Sequence, residues 1–340
     1  MFKAWLRLAA CVFGFTVAIL AACPADAVGP AIDLRVGPLL QNPLGYGDAN
    51  PQFTWRLPAS EDDLVQTAYR IVVSSKPETL RSDPDLWDSG RVESNASTFV
   101  DYAGKPLSSR DRVFWAVKFW DPRDRESSWS EIADFELGLL QRSDWTAKWI
   151  ALPVEPSEES QPAPHFRREF TLGGSRIKQA RVYITALGSF ELNLNGRRVS
   201  EDYFTPGWTE YKKRVHTMTF DVTSNLRSDG NAIGILLGDG WYCGKVMVNK
   251  RTRNGAYPEV LLQLEITFAD GTKRTIATDE SWKAATGPIL MSDHYDGEVY
   301  DAGRELGAWT EPSYDDAAWQ AVATRDIDDR IALTPKPNPP

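Results

Sequence analysis

Beyond residue 27 the chain alternates apolar and polar positions with a period of two, in short runs cut by Pro, Gly and Asp. Pro51-Gln52-Phe53-Thr54-Trp55-Arg56-Leu57 alternates, Ala68–Ser74 is a β-branched run, and Arg112–Trp120 is the strongest strand pattern of the first half. A run over 130–137 closes this half. Short strands at steady spacing predict a β-sandwich over 28–140, with room for one helical turn at 79–86. A break follows at 141–145, after which 145–150 reads as an edge strand. Residues 153–164 are rich in Pro, Glu and Ser and read as an exposed loop inside the second unit, because 165–172 at once resumes strand character. Alternation continues through 181–186, Ser189–Leu194, 216–222, 231–237, 260–268 and 273–278, with hairpin turns at Asn195-Gly196 and Asp270-Gly271. No long amphipathic helix intervenes. The pattern therefore predicts a jelly-roll-like antiparallel sandwich over 141–326, and the Pro-rich stretch 327–340 reads as a linker or tail. The expected fold class is all-β, with two sandwiches in tandem.

The first 27 residues follow another logic. Lys3 and Arg7 precede an apolar run over 8–22, and Ala25-Asp26-Ala27 offers a small-residue cleavage site, the arrangement of an export signal. The run is too short and wrongly flanked for a spanning helix. Leu20-Ala21-Ala22-Cys23 also fits a bacterial lipobox, which would place a lipid on Cys23. Lipidation and simple cleavage both remain open, and both predict an exported protein: periplasmic, anchored to the outer membrane as a lipoprotein, or extracellular.

Charge narrows the partners. Lys plus Arg number 38 against 47 Asp plus Glu, a net charge of −9. An acidic chain lacks the electrostatic footprint of nucleic-acid binding and does not adhere to anionic lipid, so a lipid anchor is the one expected membrane link. Of three cysteines, Cys11 lies in the leader and Cys23 at its edge. Cys243 alone supports no disulfide framework, and beside Trp241 and Tyr242 it reads as a small buried hydrophobe.

Signatures of catalysis are sparse. H-E-x-x-H, C-x-x-C, G-x-S-x-G and the P-loop are absent from the sequence. The run 238–244 (GDGWYCG) has its third glycine one place late for a dinucleotide fingerprint and opens onto no predicted helix. His165, His216 and His294 lie far apart and read as structural. Asp293, Asp296, Glu298, Asp301 and Glu305 form an acidic cluster. Paired carboxylates serve glycoside hydrolysis and oxygen ligands serve calcium, but these do not follow EF-hand spacing and read first as a solvated loop.

Aromatic residues offer the other candidate. Trp is abundant at 13 residues, and several fall at turns: Pro206-Gly207-Trp208-Thr209-Glu210-Tyr211, and Trp241 and Tyr242 beside Asp239. Loop aromatics stack on the C–H faces of sugars while Asn and Asp take the hydroxyls. Trp208, Asp239, Trp241 and Tyr242 are therefore the candidate carbohydrate contacts; capping of the sandwich core by the same aromatics stays an open alternative.

Two resemblances sharpen the reading. Trp55, Tyr69 and the strand Arg112–Trp120 make the first unit resemble an immunoglobulin or fibronectin type III module. The run 186–199 (ALGSFELNLNGRRV) resembles the N-terminal domain of bacterial α-L-rhamnosidases, as do Thr205-Pro206-Gly207-Trp208-Thr209, Gly238-Asp239-Gly240-Trp241-Tyr242 and 295–302 (YDGEVYDA), in matching order over about 144–325. The resemblance implies an inverting glycoside hydrolase that removes terminal α-L-rhamnose from glycans or glycosides. It places the catalytic carboxylates on an α/α barrel whose helical periodicity is missing here, so it assigns no catalytic residue in this chain. It implies that barrel, or a downstream polypeptide, as a partner, with calcium an option but no ligand assignable. The expected role is thus non-catalytic: the N-terminal portion of an exported rhamnosidase, as a truncated or split gene product, aiding substrate recognition and docking. The alternative is a free-standing carbohydrate-binding protein of the cell surface.

Overall fold

The computed structural model describes residues 28–59, 63–155, 157, 159–247, 251 and 254–336. The leader, with Cys11 and Cys23, lies outside them. The described chain is almost entirely β, as its alternation requires, in two sandwiches.

In the first sandwich, one sheet orders its strands Leu44–Tyr46, Ala133–Leu137, Arg112–Trp120, Ala68–Ser74 and Trp87–Asp88, with Val92–Glu93 also on Ala68–Ser74. Facing it are Ile32–Val36, Gln52–Arg56 and Val100–Asp101. The alternate residues Phe53, Trp55, Trp115 and Phe135 meet between the sheets, with the Phe53 and Trp115 rings 4.5 Å apart. Trp55 keeps its indole N–H satisfied by donating to Gln66 at 2.9 Å, which a buried indole needs. Residues 79–86 make turns and no helix.

The second sandwich pairs two larger sheets. One runs Ala323–Arg325, Trp149–Ala151, Glu259–Phe268, Ile177–Leu187, Arg214–Asp221 and Ala332–Pro335, with Lys273–Ala277 beside Glu259–Phe268. The other runs Arg197–Arg198, Ser189–Leu194, Gly230–Gly238, Pro164–Thr171, Lys283–Thr286 and Gln320–Ala321. Val182, Ile184, Phe166, Ile233, Ile235, Leu262, Leu264 and Trp282 fill the space between them. The Asn195-Gly196 turn has φ of 53° and 78°, the left-handed pair that a tight hairpin demands.

Three expectations change. Trp149–Ala151 is an interior strand, because Ala323–Arg325 returns to cover its outer side. The expected tail is partly structure: Ala332–Pro335 pairs parallel to Arg214–Asp221, and Leu333 packs on the cluster of Trp145, Tyr183 and Val215. Pro335 also abuts Gly47 and Gly138, where an added Cβ would meet it at 2.9 Å. Finally, the 238–244 run does open onto a helical turn, Gly240–Cys243.

The sandwiches are locked together by charge. Arg181 donates to both oxygens of Glu136 at 2.7 and 2.8 Å, both side chains buried, and Arg110 grips both oxygens of Glu265 at 2.7 Å. No helix among the described residues is long and apolar enough to cross a membrane.

Candidate functional site

The predicted contacts lie at one end of the second sandwich, Trp208 on loop 199–213 and the others at 239–242, just beyond strand Gly230–Gly238. Close backbone approach shapes this end. Gly240 has φ of +54°, and a Cβ there would meet the Gly188 carbonyl carbon at 2.7 Å. Only glycine satisfies both constraints. The helical turn Gly240–Cys243 then directs Trp241 and Tyr242 toward loop 199–213: the Tyr242 ring lies 5.2 Å from Tyr211, and Trp241 lies 5.9 Å from Phe204.

Trp208 is the open member of the set. Its side chain is 56% exposed and borders a cleft of about 300 Å³ with Thr209, Glu210, Lys212, Val246 and Asn254. Asn254 also donates to the Trp241 carbonyl at 3.2 Å, which joins the cleft to the 239–242 segment. Trp241 and Tyr242 are half-buried behind it. Trp241 packs against His294 with ring centroids 4.3 Å apart, while burial pushes the Tyr242 hydroxyl up to about 12.

Asp239 is placed otherwise than an open acceptor would be. It is 4% exposed, and its Oδ2 already accepts from Arg251 and, at 3.1 Å, from Ser160. Arg251 turns its Nη1 to Asp293 Oδ2 at 2.7 Å, so one guanidinium bridges two buried carboxylates. The two acids respond differently. Burial raises the Asp239 carboxyl above its ordinary value, with Arg251 opposing only in part. Burial would raise Asp293 as well, but the backbone N–H groups of Lys245, Tyr295 and Asp296 outweigh it and hold the acid below its ordinary value. Neither Arg251 nor Ser160 carries a sequence signal: Arg251 sits in a basic run, and nothing in its spacing points to Asp239 or Asp293.

The remaining candidates separate. Asp296 pairs with Lys245 at 2.7 Å, Asp301 with Arg304 at 3.2 Å, and Glu305 accepts from the Tyr300 hydroxyl at 2.7 Å, while Glu298 lies exposed. Among the described residues no group of three or more His, Cys, Asp or Glu is gathered as a metal site. Calcium wants six to eight oxygens, and between Asp239 and Asp293 a guanidinium already supplies the positive charge; these residues do not fit the ion. Asn195 is consumed by the core, donating to Asn225 and Asn231 and accepting from Ala232. Cys243 is a buried free thiol whose pKa burial drives well up, the behaviour of a small hydrophobe.

Comparison with known proteins matches this architecture. Residues 175–340 match the family described as "Alpha-L-rhamnosidase N-terminal domain", and residues 32–141 the "Rha78A-like, N-terminal immunoglobulin domain". An α-L-rhamnosidase of Formosa agariphila is 44% identical over 312 residues, and one of Alteromonas sp. is 41% identical over 311. Each alignment takes in 89% of this chain and 34% of the relative, so the chain spans about a third of the length of these curated relatives. Among solved structures, the α-L-rhamnosidase from Dictyoglumus thermophilum superposes with a TM-score of 0.83 at 34% identity, covering 92% of this chain and 36% of that one. The Streptomyces avermitilis α-L-rhamnosidase complexed with L-rhamnose gives 0.82 at 27% identity, over 89% and 46%. The two sandwiches thus belong to the α-L-rhamnosidase family, as the immunoglobulin-like and N-terminal domains of its N-terminal region.

Proposed function

We propose that this chain is a non-catalytic part of an exported α-L-rhamnosidase: it recognises rhamnose-containing glycans or glycosides and seats the domain that hydrolyses them. The observation that carries the recognition role is the exposed Trp208 indole beside a polar-walled cleft. An indole face covers the apolar C–H side of a deoxysugar at about 25 cal/mol per Å² of apolar surface removed from water. Glu210, Lys212 and Asn254 supply both acceptors and donors for hydroxyls. Trp241 and Tyr242 support the loop from behind, and Asp239 acts through Arg251 as a positioning residue.

Chemistry supports the non-catalytic part. Hydrolysis needs an acid and a base facing each other across the glycosidic bond. Here the buried carboxylates Asp239 and Asp293 face one arginine, with no room for a sugar between them. Export rests on the leader pattern of residues 1–27. The relatives' name gives the sugar.

Calorimetry of the intact protein with L-rhamnose tests the reading. A shallow site of this kind should bind with a Kd of roughly 0.1–1 mM, about 4–5.5 kcal/mol. Trp208→Ala should abolish the heat, and a chelator should not. Purified chain should release no nitrophenol from nitrophenyl α-L-rhamnoside. Absence of heat with folded protein at 10-fold higher sugar, or turnover that survives repurification, would overturn the respective part.

A further inference from the structure

We propose that the 289–300 hairpin, together with Tyr203 and Phe204 beside it, is the surface on which the remainder of a rhamnosidase polypeptide seats; the inference rests on the docking role proposed above. Among the described strands, Ile289–Asp293 and Gly297–Tyr300 pair with each other alone, as a two-stranded sheet outside both sandwiches, held at one end by the Ala163 N–H donating to the Ile289 carbonyl at 2.9 Å. Elsewhere in this unit the long strands bury most of their residues. Along Gly297–Tyr300 all four are exposed, so both faces of the strand are bare, and its outer edge pairs with no described strand. A lone hairpin is marginal in water, and an uncovered edge invites a partner.

The neighbouring side chains make the bare region continuous. Tyr203, Phe204 and Tyr295 are 72%, 61% and 58% exposed. The Phe204 ring lies 5.1 Å from His294, next to Tyr295, and Tyr203 and Phe204 share a groove of about 240 Å³ with Ile289, Ser292 and Glu298. Large apolar groups gathered in this way on a soluble surface mark an interaction site.

Charge and length select the occupant. Asp296, Glu298, Asp301 and Glu305 border the patch, with Arg198 over the Tyr203 ring; Asp296 and Asp301 are paired with Lys245 and Arg304, while the Glu298 side chain makes no hydrogen bond or ion pair with any described residue. A second copy placed about a twofold axis would bring Glu298 and Glu305, neither in an ion pair among the described residues, against their own copies, which like-charge repulsion disfavours. The complementary face is apolar at its centre and carries a cation opposite Glu298. Relatives of this chain have polypeptide to place there, because about two-thirds of their length lies outside the aligned region.

The test replaces the aligned third of the Formosa agariphila relative with this full chain and compares hydrogen exchange in the fusion and in the chain alone. We expect amides of 289–300 and 203–204 to exchange at least 10-fold more slowly in the fusion, and the double variant Glu298→Lys/Val299→Lys to lose that protection while leaving the melting temperature of the chain alone unchanged. Protection confined to other surfaces would overturn the hairpin assignment and leave the docking role standing. No new protection anywhere, or a fusion inactive toward nitrophenyl α-L-rhamnoside while the relative is active, would overturn both. Sedimentation of the chain alone completes the test: a dimer abolished by the double variant would give the patch to a second copy and sink the proposal.

Discussion

Arg251 Nη1 lies 2.7 Å from Asp293 Oδ2, and the other oxygen of that carboxylate is held by the backbone N–H groups of Tyr295 and Asp296 at 2.8 and 3.1 Å. The pair ties the turn end of the exposed hairpin to the loop that carries Trp241. Since Arg251 also reaches Asp239, two separate segments are fixed by one side chain.

Removal of that cation leaves two buried carboxylates facing each other. Arg251→Met should destabilise the protein by about 3 kcal/mol, the usual cost of orphaning a buried charge. Adding Asp239→Asn and Asp293→Asn to it should recover part of the loss, because the uncompensated charges go with them. Urea denaturation of the single and triple variants measures both.

Acid sensitivity should come from a histidine before any carboxylate. Burial in the sheet pushes His165 down to about 4, its Nδ1 lying 3.1 Å from the Ala163 carbonyl and its ring against Trp309. With the folded value depressed, the unfolded chain binds the proton first. The stabilisation is complete above about pH 6.5 and falls as pH drops toward 4, by up to ~3 kcal/mol. His216 and His294, also lowered by burial, act in the same window, so the difference between wild type and His165→Gln isolates this group. Asp293, lowered as well, loses its stabilising contribution only as pH falls below the ordinary carboxylate value. Asp239, raised, has the opposite sign: protonation of it relieves the folded state. Unfolding free energies from pH 7 to pH 4 check the histidine directly.

Two glycines separate backbone strain from crowding. Gly240 and Gly271 both have positive φ, 54° and 85°, but a Cβ at Gly271 meets nothing within 4 Å while one at Gly240 meets the Gly188–Ser189 backbone at under 3 Å. Gly271→Ala should cost about 1 kcal/mol from conformation alone. Gly240→Ala should cost at least 2 kcal/mol more, with a displaced loop that near-ultraviolet circular dichroism detects.

The two tryptophans of the site should part company. Trp241 packs against His294 and Phe204, so Trp241→Ala should lower stability by about 2 kcal/mol. Trp208 is exposed, and Trp208→Ala should change stability by less than about 0.5 kcal/mol. Thermal melts of both variants decide whether Trp208 is a surface group or a hidden brace.

What the sequence settles by itself is local. Strands such as Arg112–Trp120 and Glu259–Phe268 are legible because side chains alternate between faces, and a strand with one face in a core must write that alternation into its residues. The Asn195-Gly196 turn is legible because only such a pair takes up the left-handed conformation cheaply. The aromatic loops could be listed, but not divided into exposed and buried. That division is tertiary: Trp208 stays out because no described strand covers it, whereas Asp239 goes under because Arg251, 12 positions on, meets it together with Asp293, a further 42 away. The same holds for Ala332–Pro335, whose Pro-rich surroundings suggest a linker until Arg214–Asp221 offers it an edge. Alternation and turn chemistry depend on neighbours in the chain, and the sequence carries them. Which distant charge neutralises a buried acid, and which free edge receives the last strand, depends on where the completed sheets bring those segments together, and only the tertiary structure decides that.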